Sequence, residues 1–111
     1  MDEKIKKWLL DILVCIDRIN LFIGSPKEFK SYESNILLQQ AVERNLEIIG
    51  EAMNKILKEL PNIPISSKRR IVDTRNKIIH GYDDIEPENI WNIIINHLPI
   101  LEKEIKGLLN E

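Results

Sequence analysis

The stretch "RNKIIHGY", residues 75–82, gathers Arg75, Asn76, His80 and Tyr82 in a chain that has only two histidines. Each of the four side chains has a distinct use. An imidazole takes up and gives back protons near neutral pH, and a guanidinium is permanently charged and flat enough to grip an oxyanion with two parallel hydrogen bonds. An amide can orient either of them, and a phenol can donate a hydrogen bond or stack. Together they suit proton transfer beside an anionic group.

Spacing limits how they meet. Arg75 and His80 are five residues apart, which on an ideal helix puts them about 140° from each other, so either the arginine reaches round or the helix ends. Gly81 offers that end. Asn76 and His80, four apart, lie one above the other on one face. A histidine in a last turn also sits where the helix dipole favours positive charge. Plainer roles fit the same residues: His80 capping a terminal carbonyl, Arg75 paired with an acid, Tyr82 packing its ring with its hydroxyl in water.

The surroundings are polarised. Lys68, Arg69, Arg70, Arg75 and Lys77 face one acid, Asp73, between residues 68 and 77, whereas Asp83, Asp84, Glu86 and Glu88 follow directly. The whole chain carries a net charge of −2, which argues against binding long nucleic acid through bulk electrostatics. Glu47 and Glu51 could pair with Arg75 or steer His80, or form a solvated face. His97 suits the helix surface or dimer packing better than catalysis, Trp8 and Trp91 suit anchoring in the core or an interface, and the lone Cys15 among Leu13, Val14 and Ile16 reads as a small core residue. With so few histidines and one cysteine, no metal-ligand spacing can be found.

Helices must hold these groups in place. Ile5, Trp8, Leu9, Ile12, Leu13, Ile16, Ile19 and Ile23 recur at steps of three and four, the stripe of a first helix that Gly24, Ser25 and Pro26 end. Ser25 can cap a short extra turn with Pro26 at its first position. A second helix runs from near Ser34 to about Leu60 and stops at "PNIP", residues 61–64. A third is capped by Ser66 or Ser67 and lasts to Gly81. The fourth opens at Glu86 and Pro87 and continues through Leu108, with Pro99 kinking it while the apolar stripe stays in phase. No segment alternates with a period of two. The pattern predicts one all-α domain over residues 1–111, an up-and-down four-helix bundle with a short extra helix or turn after the first helix. Charges interrupt the apolar start of the chain, and no run is apolar enough for a membrane span, so a cytoplasmic protein is expected.

"RNKIIHGY" resembles the Arg-x4-His signature of HEPN-superfamily ribonucleases, and more narrowly the HepT-type toxins, in which a tyrosine follows two residues after the histidine. "ERNLEIIGEAM" at residues 43–53 is similar to the second-helix signature of that group, and "IEPENIW" at 85–91 and "HLPILEKEIKGLL" at 97–109 resemble its last helix. One departure is visible: relatives often carry a tryptophan after the "IP" turn, where this chain has Ile65, Ser66 and Ser67.

The resemblance implies a HEPN-like homodimer in which Arg75 and His80 of two copies meet across the interface and cut RNA without a metal or other cofactor. His80 would then move the protons and Arg75 would hold the phosphate. Asn76 and Tyr82 would support catalysis or bind RNA, and the cluster at 68–70 would guide it, unless that cluster is simply an exposed helix start. It also implies a minimal nucleotidyltransferase antitoxin of the MntA type that transfers AMP to Tyr82. Two other readings stay open at this point: a non-catalytic dimeric helical module that binds such a nucleotidyltransferase, and a stand-alone nucleotide-binding bundle.

Overall fold

The computed structural model describes residues 1–81 and 85–110. Helix α1 spans Glu3–Ile23, with Asp2 accepting a 2.7 Å hydrogen bond from the Lys4 amide at its start. Ile5, Leu9, Ile12, Ile16 and Ile19 are buried along it, the expected stripe. It ends at Gly24, whose φ of 73° lies in the left-handed region that side chains avoid. The short extra helix α2 spans Phe29–Glu33, not a turn capped at Ser25, and its buried Tyr32 packs with Phe29 against Trp91. Aromatic burial decides where that helix forms; proline at a first turn only permits one.

Helix α3 spans Ile36–Glu59 and begins two residues after Ser34, because Asn35 caps it by accepting from the Leu38 amide at 3.0 Å. It is the central element, packing on α1, α2 and the next helix. Helix α4 spans Lys68–His80. Its expected serine cap is absent: Ser67 precedes it without a capping hydrogen bond. Ser66 instead binds Glu104 through its amide at 3.1 Å and its hydroxyl at 3.2 Å, tying the loop to the last helix.

The fourth long element is α5, Pro87–Asn92, a widened π turn over Ile93–His97, and α6, Leu98–Leu109. Pro99 explains the widening. Its ring would collide with the carbonyl four residues back and it has no amide to donate, so the Leu98 N–H reaches Ile93 O and one extra residue bulges into the turn. The stripe resumes with Leu98, Leu101 and Ile105 buried. The shortest dimension of the molecule is 19 Å, about two helix diameters, so each helix shows one side to solvent. Among the described residues, no helix is long and apolar enough to cross a membrane.

Candidate functional site

Residue Arg75 sits where α4 packs on Gly50 of α3. Gly50 on α3 has no side chain, and a Cβ built there would fall inside the Arg75 Cβ, 2.8 Å from its Cγ and 3.1 Å from the carbonyl of Ile71. The methylene stem of the arginine therefore lies on the glycine, half-buried, and its Nε is buried without a hydrogen-bond partner among the described residues. The other end is held. Arg75 Nη1 donates to Asn76 Oδ1 at 3.0 Å. This bond ties the guanidinium to the side chain of its neighbour, while α4 ends at His80, five residues on.

His80 is the last residue of α4 and is exposed. Gly81 closes the helix by donating its amide to Lys77 O at 2.9 Å, but with φ −147°. That backbone is open to any residue, so left-handed freedom is not what ends the helix. Tyr82, together with Asp83 and Asp84, lies outside the described residues.

Several neighbours settle into structural roles. Glu47 pairs with Arg44 at 2.6 Å and Glu51 with Lys55 at 3.8 Å, so neither acid meets Arg75 or His80. Lys68 donates to Pro61 O and Ile63 O, both at 3.0 Å, and closes the α3–α4 loop; it is not part of an open basic surface. Arg69, Arg70 and Lys77 remain exposed, with no ion pair among the described residues. His97 is half-buried, its Nδ1 3.5 Å from Ser67 Oγ, and burial followed by the charge of Arg70 pushes its pKa down. That is packing within the chain, where the sequence suggested the helix surface or a dimer contact. Trp91 is the aromatic anchor of α2, and Trp8 is half-buried with the Lys4 ammonium 5.8 Å from its ring centre. Cys15 is buried, which pushes its thiol pKa up.

Among the described residues, no three His, Cys, Asp or Glu side chains converge to hold a metal ion. What α4 offers is a cationic, hydrogen-bonding edge: a positioned guanidinium, an amide and an exposed imidazole within two turns. Such an edge can hold a phosphodiester and exchange a proton with it. The sequence missed the part played by Gly50. A lone glycine inside an apolar helix stripe was the available signal, since it marks close backbone approach.

Comparison with known proteins gives a consistent result. A family model described as "Ribonuclease HepT-like" matches residues 12–108. The protein named "Putative RNase MJ1216" from Methanocaldococcus jannaschii is 32% identical over 111 residues, covering 96% of this chain and 88% of that protein. "Putative RNase MJ0125" from the same organism is 31% identical, covering 96% of this chain and 92% of its own length. "Probable ribonuclease HepT" from Thermococcus cleftensis is 29% identical over 97% of this chain and 98% of its own. No solved structure matches.

Proposed function

Because the chain belongs to the ribonuclease HepT-like family, we propose that it is an endoribonuclease toxin that cuts RNA without a metal ion, through Arg75 and His80. The observation that supports this reading is the combination, within one stretch of α4, of a guanidinium tied to Asn76 with the exposed imidazole of His80 five residues on. In the reaction the ribose 2′-hydroxyl attacks the adjacent phosphorus. One imidazole removes its proton, a protonated imidazole supplies a proton to the departing 5′-oxygen, and the bond from phosphorus to that oxygen breaks to leave a 2′,3′-cyclic phosphate. Arg75 steadies the charge that gathers on the phosphoryl oxygens.

One chain brings a single His80, whereas the reaction uses a base and an acid. A homodimer that joins two copies of the α4 edge supplies both. Exposed apolar side chains support such pairing: Leu10, Val14, Leu21 and Phe22 on α1, and Ile95 and Ile100 in the fourth element. Control by a minimal nucleotidyltransferase of the MntA type fits the same site. An adenylate on Tyr82, two residues from His80, would put negative charge and bulk where the RNA phosphate has to sit.

The test uses unmodified, partner-free protein and cellular RNA in EDTA, with His80→Ala beside the parent. Cleavage by the parent and not by the variant is expected. Intact RNA with both, from dimeric unmodified protein, would favour the reading as a non-catalytic module that binds a nucleotidyltransferase.

A further inference from the structure

Beside Lys77, three residues before His80, the protein has a cavity for which the reaction described above has no use. It measures about 490 Å³ and opens between the outer side of α4 and the start of the fourth helical element, a size that suits a small ligand. Its floor is aliphatic, with Ile90 and Ile93 buried beneath it. Arg70, Asp73 and Lys77 form one wall, and Asn89 and Asn92 stand on the other.

The charges on that wall are arranged unusually. Asp73 is three residues from Arg70 and four from Lys77, spacings at which helical ion pairs form, yet it lies within 4.0 Å of neither cation. Both cations and the carboxylate thus keep their hydrogen-bonding capacity for something else. Glu86 adds a second carboxylate at the rim, so a bare anion fits poorly. A ligand with an anion at one end and a neutral hydrogen-bond donor at the other fits well, and a flat ring between them would rest on the isoleucines. A nucleotide has this layout. Lys77 is three residues before His80, about one helical turn away, so a nucleotide seated here would be a close neighbour of the phosphate being cut.

We propose that this cavity seats the nucleotide adjoining the scissile phosphate, with Arg70 and Lys77 on its phosphate and Asp73 accepting a hydrogen bond from an exocyclic amino group of its base. The inference rests on the ribonuclease reading for its meaning, but it can be tested without cleavage. A carboxylate accepts from the amino group of cytosine and is repelled by the carbonyl that uracil carries in its place, so Asp73 selects cytidine over uridine.

Cytidine 3′-monophosphate and uridine 3′-monophosphate would be titrated into the full, partner-free chain while its backbone amides are followed by NMR, which also reports that each variant is folded. Saturable shifts at Asn89 and Ile93 are expected, with the cytidine nucleotide bound about tenfold tighter. Arg70→Ala and Lys77→Ala should weaken both nucleotides, whereas Asp73→Asn should remove the preference and leave phosphate binding in place. The proposal is overturned if these amides do not respond, or if both nucleotides bind equally and Asp73→Asn changes nothing. Nucleotide binding here by a chain that leaves RNA intact would defeat the ribonuclease reading alone; RNA cleavage without binding at these amides would defeat the cavity assignment alone.

Discussion

Gly50 and Arg75 share a space too small for two side chains: a Cβ on residue 50 would overlap the arginine's Cβ and Cγ. The contact is between two helices, and the displaced atom would be next to backbone and not at a flexible side-chain tip. Neither helix can yield locally without moving the other.

Gly50→Ala should therefore destabilise the protein, although alanine is the better helix former by about 0.5–1 kcal/mol. Overpacking in a tight helix contact costs about 1–3 kcal/mol and outweighs that gain. Urea denaturation should show a lower midpoint, and cleavage by the fraction still folded should also fall because the Arg75 stem is displaced. A midpoint at or above that of the parent would mean that α3 and α4 are farther apart than described.

Exposed His80 and half-buried Arg75 should separate by what they disturb. His80→Ala should reduce cleavage by about 10²–10⁴-fold, the usual contribution of a general acid or base, and leave the melting temperature unchanged. Arg75→Lys keeps a stem that can lie on Gly50, so it should fold normally while losing two-pronged phosphate contact and most of the cleavage rate. Thermal melts beside cleavage rates read both effects.

Asn76 has a graded test. Asn76→Ala frees the guanidinium and should slow cleavage about two- to tenfold, the scale of one hydrogen bond. Asn76→Asp keeps an acceptor for Arg75 Nη1 but adds a negative charge beside the RNA, so it should act mainly by raising KM. Equal effects from the two variants would mean that Asn76 works in some other way.

Glu43, half-buried on α3, has its pKa pushed above the ordinary 4.5 by burial. Its folded form thus favours the neutral carboxyl, and ionisation at higher pH costs stability. Glu43→Gln should melt a few degrees higher than the parent at pH 7, and the gap should close as the pH falls below 4.5, where the parent's Glu43 is also neutral. The opposite pH trend would show that the carboxylate is stabilised by a partner.

Much of this was readable beforehand because period and punctuation agree. The stripe of α1, the stop at Pro61 and the opening at Pro87 each rest on one local rule, and the structure follows all three. Two other features depend on partners far away in sequence. Ser66 binds Glu104 in place of capping α4, and α2 forms where Tyr32 can reach Trp91. At the site, four-residue spacing sets Asn76 and His80 on one face of α4, but the packing of Arg75 on Gly50 and its bond to Asn76 depend on how two helices meet and had no local signal beyond the glycine.

The most direct measurement of the central claim is the chemistry of the cut ends. A defined RNA cleaved in EDTA by unmodified protein should yield fragments ending in 2′,3′-cyclic phosphate and 5′-hydroxyl, none of them with His80→Ala. Fragments ending in 3′-hydroxyl and 5′-phosphate would mean that water, not the ribose hydroxyl, attacks phosphorus, and would contradict the role given to His80.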